Sequence, residues 1–178
     1  MKKLHLLLTL VLVSAAAGCI LVSAQIFTTM GLADIHVTGA TGMDPEFVDL
    51  NTEPDYVDHK DELKTLADFA LMGDFTNVGT GDLGVEVWIT ADSTNYGTAT
   101  EVRAGATRLW GPFNVAGGAT QHITWDASAA LIDKAGKAVL INEAKGDGKF
   151  TLYALGATGD YEFRILNVKM LLTLDVGK

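Results

Sequence analysis

Phe69-Ala70-Leu71-Met72-Gly73-Asp74-Phe75-Thr76, then Asn77-Val78-Gly79-Thr80-Gly81-Asp82, then Leu83-Gly84-Val85-Glu86-Val87-Trp88-Ile89, is the stretch that decides the fold. Phe69, Leu71, Gly73 and Phe75 share one side of an extended chain. Val85, Val87 and Ile89 alternate with Glu86, Trp88 and Thr90. Period two over two runs, broken by residues that tolerate positive φ, predicts two strands joined by a turn, read as a hairpin.

Downstream the same grammar continues. Asp92 to Gly97 is a polar turn around Ser93, Arg103 to Phe113 a weaker strand ending at Pro112, and Ile123 and Trp125 share a strand face that would bury both. Asp126 is placed to cap a helix over 127–144, the one helix expected in the exported domain, with Gly136 as the point where it would split. Phe150, Leu152 and Ala154 alternate before the turn Gly156-Ala157-Thr158-Gly159-Asp160. In the last strand the apolar residues are odd-numbered (Tyr161, Phe163, Ile165) and then even-numbered (Val168, Met170, Leu172, Leu174, Val176). Such a parity change requires a bulge or bend near Leu166-Asn167, and it implies that the two halves bury opposite faces. The apolar second half reads as a central strand whose partner is the segment Ile26 to Val37.

Upstream, residues 43–62 hold eight acids, with Pro45 and Pro54 interrupting. This reads as a long acidic surface connection with a helical turn near its end. Glycine-punctuated strands with one inserted helix argue for a mainly β fold, an antiparallel β-sandwich of jelly-roll or immunoglobulin-like type.

The start of the chain has a different character. Lys2 and Lys3 precede an apolar run, and small residues follow to Ala24. Residues 1–24 therefore read as a signal peptide or membrane anchor, and 25–178 as a single domain outside the cytosol, extracellular or in the cell envelope. Three fates stay open: cleavage after Ala24, lipidation at Cys19 in Ala16-Ala17-Gly18-Cys19, or retention of about 21 apolar residues as a span. Cys19 is the only cysteine, so the domain contains no disulfide of its own.

Net charge is −9. A surface of that sign repels phosphate backbones, which excludes nucleic acid as an expected partner. The four histidines are scattered and lack metal-site spacing, so no metal and no cofactor is expected. Residues 43–62 offer oxygen ligands for calcium without the register of a calcium loop, and calcium there stays open. Four serines, Ser14, Ser23, Ser93 and Ser128, lack a nucleophile context, and Gly79-Thr80-Gly81-Asp82 lacks the lysine of a phosphate loop. Only convergence of distant acids such as Glu86 and Glu162 would make an enzyme. The expectation is a protein without catalytic activity.

Phe69 to Asn77, Gly79 and Leu83 to Ile89, preceded by an apolar signal and followed by a helix over 127–144, resemble the TasA/camelysin family of exported sandwich proteins. The resemblance implies a filament or matrix subunit joined by strand exchange. It agrees with the first reading of the residues themselves. In that reading an apolar arm, 25–39, with Ile26, Phe27, Met30, Ile35 and Val37 as its assembly side chains, adds as a β-strand to its own sheet or to a neighbour's. The partner is then another copy of the chain. The alternative is a cell-surface carbohydrate-binding module whose glycan stacks on Trp88 and Trp110.

Overall fold

The computed structural model describes residues 23–40, 42–91, 94–157 and 159–177. Cys19 and the leader as far as residue 22, with Ser93, lie outside the described residues.

Among the described residues nine strands run in chain order: β1 (Ser23–Gly31), β2 (Ile35–Thr38), β3 (Asp44–Asp49), β4 (Leu63–Asn77), β5 (Leu83–Ala91), β6 (Thr107–Val115), β7 (Thr120–Ile123), β8 (Lys149–Gly156) and β9 (Glu162–Gly177). Between these strands lie four short α-helices: α1 (Pro54–His59), α2 (Ala99–Gly105), α3 (Trp125–Ala129) and α4 (Lys134–Lys145). One sheet has the order β1-β9-β4-β7, with β2 beside β9 in line with β1. The other has the order β3-β8-β5-β6. All pairings are antiparallel. From β2 onward the chain keeps switching sheets, and only β5 and β6 are both consecutive and neighbours in one sheet. This is the jelly-roll strand order, which settles the choice against an immunoglobulin-like one.

The expected hairpin is therefore a correction. β4 and β5 lie in opposite sheets, and residues 78–82 arch across the end of the sandwich. Asn77 holds the arch: its Nδ2 donates to Gly81 O (2.7 Å) and Val115 O (3.0 Å), and its Oδ1 accepts from the Gly79 N–H (3.0 Å). Turn residues with positive-φ tolerance serve a hairpin and an arch equally well, so composition did not separate the two.

The core lies between the sheets. Phe69, Leu71, Phe75, Phe163, Ile165, Met170, Leu172 and Leu174 of one meet Val85, Val87, Ile89, Trp110, Phe150 and Leu152 of the other, all buried. Phe75 stacks on Trp110 at 5.7 Å and meets Phe113 edge-on at 5.1 Å. At about 25 cal/mol per Å², such large apolar side chains supply the main drive to fold.

β9 carries the parity change as a bulge. Met72 pairs with Lys169 and Asp74 with Leu166, so Gly73 alone opposes Asn167 and Val168. Asn167 adopts φ 56°, which its short polar side chain tolerates. A Cβ on Gly73 would sit 3.0 Å from Leu166 O, so glycine admits the kink. The extra residue returns Val168 and Met170 to the inner face already used by Phe163 and Ile165. The two halves thus bury the same face, contrary to expectation. The N-terminal pairing breaks at the same level: β1 ends with Gly31 opposite Lys169, and β2 resumes with Ile35 opposite Ile165.

Residues 43–62 are not one loop. Asp44–Asp49 form edge strand β3 on β8, and Pro54 opens α1. Asp44, Glu46 and Val48 alternate inward, but acids at two of those positions hid the period. The inserted helix is two helices, parted at 130–133 and not at Gly136. Asp133, not Asp126, makes the side-chain cap, its carboxylate accepting from the Ala135 N–H (2.8 Å). Gly136 instead lets α4 lie on β6, where a Cβ would meet Leu109 Cα at 2.3 Å. Residues 99–105 form α2, so the strand read from Arg103 to Phe113 begins only at Thr107. With Ala99 and Val102 buried, α2 and the chain before it cover the outer face of the second sheet around Tyr153 and Leu155.

Candidate assembly edge

β1 is the outermost strand of its sheet, and its sequence, SAQIFTTMG, contains neither a charge nor a proline. Its backbone ladder, among the described residues, is with β9 alone, from Ser23 opposite Gly177 to Gly31 opposite Lys169. Ile26, Thr28 and Met30 point inward, yet only Thr28 is fully buried, and its hydroxyl finds no partner. Phe27 points outward and is 54% exposed. The β9 residues beneath, Leu172, Leu174 and Val176, are buried throughout. β1 therefore covers an apolar central strand, with Ile26 and Met30 packed against the core yet left partly exposed. β2 is rooted more firmly, with Ile35 and Val37 buried.

Other edges carry devices that discourage further pairing. In β3, Pro45 denies a donor, and two acids turn inward. Glu46 Oε1 accepts from the Ala33 N–H (3.3 Å) and Asp44 Oδ2 from the His36 N–H (3.2 Å), tying β3 to the β1–β2 link and to β2 itself. β6 holds Pro112, and the α3–α4 link occupies its rim through Gly111 N–H to Leu131 O (3.0 Å) and Asp133 N–H to Leu109 O (2.8 Å). Beyond β7, the edge of β4 is closed by one side chain. Ser128 Oγ accepts from the Leu71 N–H (2.8 Å) and donates to Leu71 O (2.7 Å), as a neighbouring strand would. β7 is four residues long. Beside it His122 Nδ1 lies 2.9 Å from Asp74 Oδ1, and Asn167 Nδ2 donates to Asp74 Oδ2 (3.0 Å). Those bonds, from Asn167 first and then His122, hold the Asp74 carboxyl below its ordinary pKa.

The aromatic candidates fall differently from their sequence reading. Trp110 is fully buried, its Nε1 donating to Ser128 O (2.9 Å) and Oγ (3.0 Å), so it is a core residue and offers no contact surface. Trp88 is half-buried, with Nε1 donating to Glu86 Oε2 (3.2 Å). Trp125, read as core, is 39% exposed because the strand stops at Ile123 and α3 begins on the tryptophan. Glu86 is not solvated. It is 7% exposed, 3.3 Å from Arg108, whose other arm reaches Asp133 at 3.3 Å. Glu162 lies on the other sheet beside His36 (3.3 Å) and Arg164 (3.9 Å), so these two carboxylates do not converge. No three metal-ligating side chains cluster among the described residues, and no described helix is long and apolar enough to cross a membrane.

Sequence reasoning missed Ser128, Trp125 and the inward acids of β3. A serine in a helix start signals nothing in itself; its role appears only when β4 lies beside it.

No family model and no curated protein sequence matches the chain. Among solved structures it is similar to a decameric BFDV capsid protein, at 10% identity over 88% of this chain and 100% of that one, with a TM-score of 0.38. It is also similar to Desmodium yellow mottle tymovirus, at 9% identity over 88% of this chain and 90% of that one, with a TM-score of 0.30. At such scores neither likeness bears on what this chain does, and the jelly-roll topology rests on the strand order itself.

Proposed function

We propose that this protein is an exported, non-enzymatic structural subunit whose copies join by β-strand addition through β1, building an extracellular filament or matrix. The reading rests on one observation. β1 is a nine-residue edge strand without charge or proline, on a molecule that blunts its other long edges. An edge of that kind is a template for main-chain pairing with another copy. Exchange needs little rearrangement, because a neighbour's β1 would restore the same ladder on β9 that the chain's own β1 makes. The sequence pattern up to Ala24 supports a location outside the cytosol, at the cell envelope or beyond, with residues 1–24 or Cys19 as the attachment where they are retained. The TasA/camelysin resemblance implies the same mode of assembly.

The glycan reading built on Trp88 and Trp110 loses its footing here, since one is interior and the other half-covered. Size-exclusion and electron microscopy of the mature protein over a concentration series test the assembly reading. Multimers or filaments that vanish on deletion of 25–39 are expected. A strictly monomeric species at high concentration, with or without that segment, overturns it.

A further inference from the structure

The outer face of the first sheet, unlike that of the second, has no helix laid across it at one place. There a shallow groove is lined by Gln25, Phe27, Ala67, Asp68, Trp125 and Thr173. The registers explain how these residues meet. Phe27 pairs with Thr173, and Thr173 with Asp68, so the three stand side by side across β1, β9 and β4. Trp125, at the start of α3 beyond the far edge of β4, forms the opposite wall from Phe27. With strands about 4.8 Å apart, the walls stand at least two strand spacings from each other, roughly 10 Å at the backbone.

Three features suit this groove to a ligand. Two large aromatics, Phe27 at 54% and Trp125 at 39% exposure, are both left facing water. Between them the floor carries Thr173, 4% exposed, whose buried Oγ1 has no hydrogen-bond partner among the described residues. A buried polar atom without a partner is uncommon, and a sugar hydroxyl would reach this one by displacing the side chains over it. Around it stand an acceptor and a donor–acceptor amide. Asp68 Oδ1 takes the Phe69 N–H (2.9 Å), while Gln25 Nε2 donates to Asp175 Oδ1 (2.9 Å).

We propose that this groove binds a neutral saccharide chain. Aromatic faces stack on the C–H faces of sugar rings, and each sugar hydroxyl both donates and accepts. That dual character matches a floor of hydroxyl, amide and carboxylate. A cationic ligand would require acceptors alone, and it would meet Lys64, which lines the adjoining hollow with Gln25 and Asp175. The inference is independent of strand exchange: β1 presents Phe27 to the groove whether it comes from the same chain or a neighbour.

The test uses the mature chain, titrated by calorimetry and tryptophan fluorescence with cellohexaose, with the β-1,4-linked N-acetylglucosamine hexamer, and with tetramethylammonium as the cationic probe. Saturable binding of at least one oligosaccharide is expected. Phe27→Ala and Trp125→Ala should each weaken it about tenfold, by loss of stacking area. Trp88→Phe should leave it unchanged. Thr173→Val separates binding from folding: it should weaken the saccharide while raising the melting temperature, because the unpartnered hydroxyl is gone. Absence of saturable binding for both oligosaccharides, binding indifferent to Phe27→Ala and Trp125→Ala, or Trp125-dependent binding of tetramethylammonium alone, each overturns the proposal.

Discussion

Ser128→Ala removes a single oxygen and should cost more than most core truncations of its size. A hydroxyl offers one donor and two acceptor sites, and Ser128 Oγ uses all three: it donates to Leu71 O and accepts from the Leu71 N–H and Trp110 Nε1. The residue is fully buried, so water cannot replace it. Alanine leaves the Leu71 N–H and C=O without partners, each at about 1–3 kcal/mol, while Trp110 keeps its bond to Ser128 O (2.9 Å). The expected loss is therefore about 3 kcal/mol, which for a domain of this size lowers the melting temperature by roughly 6–12 °C. Urea unfolding followed by circular dichroism measures it, with an unchanged m-value as evidence that the native fold persists. A loss below about 1 kcal/mol would show that the β4 edge does not depend on this hydroxyl, and the account of edge closure by α3 would be wrong.

Gly136→Ala should destabilise even though alanine favours a helix by about 1 kcal/mol, because the new Cβ meets β6 backbone and overpacking costs about 1–3 kcal/mol or more. The contact in question is 2.3 Å to Leu109 Cα and Arg108 O, and a more stable variant would show that α4 does not pack this closely. Acid should weaken the fold. Asp133 is held below its ordinary pKa by the Ala135 N–H first and then by Arg108, Asp49 by Asn51, and Asp74 by Asn167. The unfolded chain then binds protons at higher pH than the folded one, so this stability is present above the ordinary carboxylate range and is lost as pH falls through the folded values. Asp133→Asn, which can still cap α4, should flatten that acid limb in denaturation curves between about pH 5 and 2. An unchanged limb would contradict the assignment.

Much of the architecture was legible because period two survives wherever one strand face is buried and the other is wet. The strands from Phe69, Val85, Phe150 and Phe163 onward follow from that alone, and so does the bulge at Asn167, since parity cannot change without an extra residue. The partnership of the N-terminal segment with β9 was legible in part: Ile26 to Gly31 lies on the second half of β9 as expected, whereas Ile35 to Val37 pairs with the first half, Phe163 to Ile165. What escaped had a common cause: the sequence does not say which sheet a strand enters. Asn77-Val78-Gly79 permits a hairpin and an arch alike, and the arch wins because Asn77 reaches Val115 across the sandwich end. The acids of β3 looked solvent-facing and instead turn inward to hold backbone N–H groups. Trp110 and Trp125 exchanged their expected places because the strand holding Ile123 stops two residues before the tryptophan.

The claim that copies join through β1 is tested most directly by trapping its ladder. Gln25 and Asp175 face each other across β1 and β9, bonded at 2.9 Å, and directly opposed strand residues lie within disulfide reach. In a Cys19→Ser background, Gln25→Cys with Asp175→Cys leaves these as the only thiols. Oxidation across a concentration series, read on a non-reducing gel, then reports whose β1 lies on whose β9. Strand addition predicts disulfide-linked dimers and higher multimers that grow with concentration, with closed monomer when dilute. Closed monomer alone at every concentration would contradict it.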